Sequence, residues 1–172
     1  MLSNATEQEV LDNDVVFICL PTPMNKDGSC YIDIVEAAIK RVFEFGVATT
    51  VVIKSTVPPG TTSKWNKQFP SLDIVFNPEF LTEANAVSDY ENQTRIILGG
   101  PRKSTTKLKP IFAKVFPKAS IIKTASTYAE MVKYVTNSFL ATKVSFANEM
   151  YQICEGLDVD YDKVIEYATY DE

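Results

Sequence analysis

Apolar residues along this chain fall into two alternating kinds of run: short continuous blocks, and longer stretches with helical spacing. The blocks are Val15-Val16-Phe17-Ile18-Cys19-Leu20, residues 49–55, Asp73-Ile74-Val75-Phe76, residues 93–99 and residues 120–124, all of strand length. Continuous rather than alternating hydrophobicity implies cover on both faces, so the first block is expected as a central parallel strand with Cys19 as a small core residue. Between blocks, residues 32–45 space Ile34, Val35, Ala38, Ile39 and Val42 by three and four, with Gly46 as a natural stop. Residues 104–116 repeat an amphipathic pattern, and residues 3–13 read as a short helix capped by Ser3 or Asn4. Strands alternating with helices at these intervals suit βαβ units and a mostly parallel sheet.

The pattern then changes. Residues 126–154 contain neither Pro nor Gly and are apolar almost throughout. A helix of roughly 28 residues is about 42 Å long, more than one α/β layer needs, so it should bridge two packing units or pair with another chain. Gly156 ends it, and residues 159–168 predict a shorter helix. Lys133 and Asn137 share a face with Ala129, Leu140, Val144, Ala147 and Tyr151, while Val132, Val135, Phe139 and Phe146 suggest burial on a second side. A lysine and an asparagine on an apolar stripe are costly unless satisfied. Two readings stand on spacing alone: a site, or a lysine that snorkels beside an exposed Glu130.

Composition narrows the class. With 172 residues, 45% of them hydrophobic, the chain can build one good core and the start of a second. A net charge of −5 with interspersed signs argues against nucleic acid as a partner. No apolar run approaches the roughly 18 residues of a membrane span and no leader sequence is recognisable, which predicts a cytoplasmic protein away from the membrane. Cys19, Cys30 and Cys154 have no metal-ligand spacing, and their odd number fits a reducing compartment. Cys30 falls on a loop that includes Asp27-Gly28 and is assigned no special role. There is no histidine, which excludes a Ser-His-Asp or Cys-His mechanism carried by this chain alone.

The candidate chemistry lies where strands end. In Asn77-Pro78-Glu79-Phe80-Leu81-Thr82-Glu83, Pro78 should stop the strand, and a helical turn after it would set Glu79 and Glu83 on one face at its positive end. Carboxylates there are either ordinary helix-start acids or part of a ligand site past a strand's carboxyl end. In Ser55-Thr56-Val57-Pro58-Pro59-Gly60-Thr61-Thr62, a rigid turn, a permissive glycine and two candidate N-cap threonines can aim hydroxyls and N–H groups at an anion or a reacting carbonyl. A plain connector fits the same residues.

Taken together, Phe17-Ile18-Cys19-Leu20-Pro21-Thr22-Pro23, the Ser55–Thr61 and Asn77–Glu83 runs, and Ala129-Glu130-Met131-Val132-Lys133 with Asn137 resemble the UDP-glucose/GDP-mannose dehydrogenase family over nearly the whole chain. Glu-Phe-Leu-x-Glu is closer to its UDP-glucose branch. The resemblance implies a partial Rossmann-like α/β domain over residues 1–124, followed at 125–172 by the long helix of an all-α dimerisation domain. It implies NAD as cofactor, a nucleotide-sugar substrate, a homodimer through the helix at 126–154, and oxidation of UDP-glucose to UDP-glucuronate through a cysteine thioester. Carried over by position, Thr56 would hold the catalytic water and Glu79 would act as its base. Lys133 and Asn137 would stabilise an alkoxide or oxyanion. Leu20, Pro21, Thr22, Pro23, Ser55, Thr56 and Glu83 would line the NAD site. Phe80 and Leu81, with Glu79, Lys133 and Asn137, would meet the sugar nucleotide.

The family's Gly-x-Gly-x-x-Gly loop is expected upstream of residue 1, and its nucleophilic cysteine just after residue 172. Cys154 lacks that cysteine's context; Ala84 and Thr94 stand where a glycine and a proline are common. A central fragment of such an enzyme, inactive alone, is therefore the first expectation. A GDP-mannose or other nucleotide-sugar dehydrogenase fragment and a non-catalytic dimerisation or binding module are the alternatives.

Overall fold

The computed structural model describes residues 9, 13–46 and 49–170, with Glu83 described by its backbone. The helix expected at 3–13 lies outside the described residues except for Glu9 and Asn13. Five strands form one sheet: β1 (Val15–Ile18), β2 (Thr50–Ile53), β3 (Asp73–Phe76), β4 (Arg95–Gly99) and β5 (Ser120–Thr124), ordered β1-β2-β3-β4-β5. The pairs β1–β2, β2–β3 and β4–β5 are parallel. Each parallel pair is bridged by a helix: α1 (Asp33–Glu44), α2 (Thr61–Gln68) and, between β4 and β5, α4 (Arg102–Val115). The β3–β4 connection holds only a 3-10 turn (Glu83–Asn85) and the six-residue α3 (Ala86–Glu91), too little for a full crossover, and here the pairing is antiparallel, with Phe76 opposite Gly99.

Side chains pack on both faces of the sheet. Val35, Ile39 and Val42 of α1, Trp65 of α2 and Ala129 bury Val16, Ile18, Ile53 and Ile74 on one face. Leu108 and Phe112 of α4 cover Val52, Val75, Ile96 and Leu98 on the other. β2 is buried at every position, as its unbroken β-branched run requires.

β1 departs from expectation. Among the described residues it is an edge strand: Val16 and Ile18 are buried, but Phe17 is 47% exposed and Cys19 is exposed rather than in the core. Its inner face lies in the α1 cluster, whereas on the other face the Phe112 ring meets Phe17 only edge-on, 6.2 Å between centroids. One covered face produces alternation even in a continuously apolar segment.

The first compact unit extends through Lys133, and the second begins at Tyr134. The helix α5 (Ser126–Gly156) runs for 31 residues, about 46 Å, and its first two turns belong to the first unit. In the second unit α6 (Tyr161–Ala168) follows a turn in which Asp158 takes φ 55°, and Asp160 caps it by accepting from the N–H groups of Asp162 and Lys163. Val135, Phe139, Leu140, Val144 and Phe146 are exposed, so the burial expected on more than one side of the long helix is not found. A partner helix of eight residues is too short to cover that much apolar surface.

Candidate active site

β1, β2 and β3 end on one row of the sheet, Ile18 opposite Ile53 and Ile53 opposite Phe76. The three segments leaving that row carry most of the expected site residues, and the chain laces them together. Leu20 donates its N–H to Ser55 Oγ at 2.9 Å, and Ser55 Oγ donates back to the Leu20 carbonyl at 2.6 Å. Thr22 Oγ1 donates to the Thr56 carbonyl at 2.9 Å, and Cys30 Sγ lies 3.8 Å from the same oxygen. The Ser55 hydroxyl is thus committed to bracing the Leu20 backbone. Leu20, Pro21 and Pro23 are exposed, and Thr22 and Thr56 half-buried.

After β3 the chain does not turn into a helix at Pro78. Residues 77–82 are irregular, Thr82 is extended (φ −92°, ψ 145°), and the 3-10 turn begins only at Glu83. The helical face proposed for Glu79 and Glu83 is therefore absent; Pro78 and the extended preference of Asn77 before it keep the segment out of the α region. The segment instead closes on itself in a local clasp, in which Leu81 donates its N–H to Glu79 Oε2 at 2.7 Å.

The partner of Glu79 comes from α5. Lys133 Nζ donates to the Glu79 carbonyl at 2.7 Å and to Glu79 Oε1 at 2.8 Å. Lys133 is only 4% exposed, so its ammonium is held inside rather than snorkelling to water. Burial raises the Glu79 carboxyl toward neutrality, the largest single effect. The Lys133 hydrogen bond, the Leu81 N–H and the charges of Lys133 and Lys54 together outweigh it, and Glu79 lies below the usual glutamate range. Beside it, the Phe80 ring has the Arg95 guanidinium 4.3 Å from its centroid and the Lys133 ammonium at 5.6 Å. Phe80, Leu81, Thr82, Asp89 and Arg95 help line a cleft of about 480 Å³, within the size range of ligand pockets.

Glu130 reverses its expected role. It is fully buried, accepting from Gly60 N–H at 2.6 Å and Thr62 N–H at 2.8 Å. The amino end of α2, open on sequence grounds to an outside anion, already faces this internal carboxylate. Gly60, at φ 93°, is the residue that flanks that end, and Thr61 and Thr62 are its first helical positions rather than caps. One turn of α5 therefore reaches three parts of the sheet: Ala129 lies where a Cβ on Gly99 would fall, Glu130 holds the β2–α2 loop, and Lys133 holds Glu79.

Sequence reading missed Lys54 and Asn77. Lys54 Nζ donates to Asn77 Oδ1 at 3.0 Å, and buried Asn77 donates to the Ile97 carbonyl at 2.9 Å. The available signal was a lone lysine closing an apolar strand, directly before Ser55-Thr56. Asn137 lies in the second unit and is exposed, and the Glu83 side chain lies outside the described residues.

Residues 1–117 match the sequence model of the UDP-glucose/GDP-mannose dehydrogenase family, NAD binding domain, and residues 127–172 that of the same family's central domain. The chain is 36% identical over 170 residues to UDP-glucose 6-dehydrogenase TuaD of Bacillus subtilis, a match covering 94% of this chain and 37% of the relative. Among solved structures, a UDP-glucose dehydrogenase from Pyrobaculum islandicum is similar at a TM-score of 0.85 and 34% identity, covering 98% of this chain and 41% of that one. A ternary complex of GDP-mannose dehydrogenase from Pseudomonas aeruginosa gives a TM-score of 0.81 at 30% identity, covering 95% and 41%. The chain thus spans about two fifths of the length of these relatives.

Proposed function

Because this chain belongs to the UDP-glucose/GDP-mannose dehydrogenase family, we propose that it supplies the strand-end half of an NAD-dependent nucleotide-sugar dehydrogenase site. The Lys133–Glu79 pair carries the reading. It joins two segments 54 residues apart in sequence, where open α/β sheets bind ligands, and it places a cation and a base in contact. Two of the three Lys133 N–H groups are used on Glu79, leaving the third for a substrate oxygen, where a fixed positive charge stabilises a developing oxyanion. Each carboxylate oxygen of Glu79 keeps a second lone pair, so the ionised group can still accept a proton from water held near Thr56. By the family resemblance, Asn137 of the second unit would be a further contact to the substrate.

The segments after β1 and β2 fit NAD. The Leu20–Pro23 segment is fastened to the end of β2 through the Ser55 hydroxyl and the Thr56 carbonyl, and the apolar side chains of Leu20 and Met24 are exposed where a flat ring could cover them. Ser55 would brace this surface, with Leu20, Pro21, Thr22, Pro23, Thr56 and Glu83 contributing contacts. NAD, when bound, accepts hydride. Phe80 and Leu81, beside the cleft, would meet the sugar nucleotide, and UDP-glucose is the substrate favoured by the relatives' names. The cysteine thioester of the overall reaction would form on a nucleophile outside these residues, so the chain alone should not turn over.

The test is NADH formation by the full-length enzyme with UDP-glucose, then with GDP-mannose. Two NADH per sugar with UDP-glucose, and a fall of about 10²–10⁴-fold in Glu79→Gln, are expected. NADH production by the 172-residue chain alone, or an undiminished rate in Glu79→Gln, would remove the assignment. A homodimer through the long helix is supported by the exposed Val135, Phe139, Leu140, Val144 and Phe146. Sedimentation should give a dimer that Phe139→Asp with Phe146→Asp disperses; a monomeric parent chain would end that part of the proposal.

A further inference from the structure

Lys54 has no part in the roles assigned above, yet it sits among them. Its backbone N–H donates to the Ile18 carbonyl at 2.9 Å, which fixes it on the row where β1, β2 and β3 end. Its side chain is half-buried, and the hydrogen-bond partner found for its ammonium is a neutral amide, Asn77 Oδ1 at 3.0 Å. Asn77 is pinned in turn: its N–H reaches the Ile53 carbonyl and its amide the Ile97 carbonyl, both at 2.9 Å. With its nitrogen committed to a carbonyl, the Asn77 side chain can present only oxygen to Lys54. Glu79 comes two residues later and accepts a hydrogen bond from Lys133.

We propose that Lys54 is a positioning residue of this site: a second cation that keeps Glu79 ionised through space and, by holding Asn77, fixes the start of the segment that carries it. The inference rests on Glu79 being the base of the proposed reaction. A neutral donor would satisfy Asn77 equally well, so the hydrogen bond alone does not account for a half-buried charge. Burial pulls the Lys54 ammonium down; Cys19 after β1 and Glu79 after β3 push it up, and Lys133 from α5 pulls it down again, for a net lowering. Those are the titratable groups whose charges act on it among the described residues. For Glu79, Lys54 acts in the same direction as Lys133. Glu79 is thus acted on by two lysines, of which Lys133 is hydrogen-bonded to it.

The coupling can be read without substrate. The 172-residue chain, labelled with 13C at glutamate carboxyls, is titrated by NMR as wild type, Lys54→Met and Lys54→Arg. Lys54→Met should move the Glu79 midpoint to higher pH, and Lys54→Arg should leave it near wild type. In the full-length dehydrogenase the acid limb of the pH–rate profile should move the same way for Lys54→Met and not for Lys54→Arg. Should methionine unfold the chain, Lys54→Gln removes the charge while keeping a donor for Asn77 and gives the same readout. An unmoved Glu79 midpoint in the uncharged variant, or equal shifts in the methionine and arginine variants, overturns the proposal. Because the titration needs no turnover, a coupled Glu79 in an enzyme that makes no NADH would sink the dehydrogenase reading and leave only the coupling of Lys54 to Glu79 standing.

Discussion

The Lys133 ammonium lies 2.7 Å from the Glu79 carbonyl and 2.8 Å from one oxygen of its carboxylate, binding the start of α5 to the segment after β3. Breaking such a pair from the lysine side strands a carboxylate that has lost its nearest cation. The Glu79 side chain keeps 34% of its surface, so solvent screening trims the loss. Lys133→Met should therefore destabilise the chain by about 1–3 kcal/mol in urea unfolding. An unchanged midpoint and slope would mean that the contact contributes nothing net.

The same pair sets a pH dependence whose sign is fixed by the direction of the Glu79 shift. Its folded value lies below the ordinary 4.5, so the unfolded chain binds a proton first as pH falls. The stabilisation is fully present above the ordinary glutamate value and is lost as pH drops through the depressed folded value. Wild type and Glu79→Gln should accordingly differ most in urea midpoint near neutrality and converge in acid. A gap that widens in acid would reverse the assigned sign.

Glu130 accepts two backbone hydrogen bonds with no exposure to water. Glu130→Ala leaves the Gly60 and Thr62 N–H groups facing a cavity and should cost about 2–4 kcal/mol, since bonds to charged groups are each worth about 1.5–3. Glu130→Gln keeps the shape but turns an NH₂ toward one of the donors, so it should fall between alanine and wild type. Hydrogen exchange at Gly60 and Thr62 should accelerate in both variants. Protection equal to wild type in Glu130→Ala would show that other groups satisfy these amides.

Gly99 is where β4 meets α5. A Cβ there would fall against Ala129 Cβ and 3.0 Å from Ser126 Cα, and the second of these is backbone that must move. Gly99→Ala should cost about 1–3 kcal/mol, the usual penalty of overpacking, with thermal melting as the measure. Gly46, by contrast, has φ 73° and open space around the added Cβ, so Gly46→Ala should cost only local backbone strain. Equal melting temperatures for the two variants would contradict the close approach at Gly99.

Much of the frame was legible because periodicity depends on local burial. The unbroken β-branched run of β2 and the apolar part of β3 come from residues that face inward together, whereas β5 keeps its expected bounds without a single buried position. The length of α5 was legible from the absence of Pro and Gly. Lys133 stood out because a charge on an apolar stripe requires a partner. Its partner did not stand out: Glu130, three residues back on the same helix, was the nearer choice by sequence, and Glu79 was the correct one by 54 residues. Cys19 and Phe17 are exposed where burial was expected, because composition reports what could be buried, while the strand's place at the edge among the described residues decides what is.

By itself, the sequence determined the alternation of strands and helices, the stops at Gly46 and Pro78, and the residues with unusual polarity for their surroundings. These are properties of a residue and its near neighbours, and the backbone has few conformations with which to answer them. Tertiary structure alone decided that Glu130 caps α2 from inside, that Gly99 must be small to admit Ala129, and that Lys54 reaches Asn77 while Lys133 takes Glu79. The reason is that β2 pairs with β3, and the first two turns of α5 pack across the strand ends, in a single way. Only that packing determines which buried donor meets which buried acceptor, and no spacing along the chain encodes a distance between segments that become neighbours only on folding.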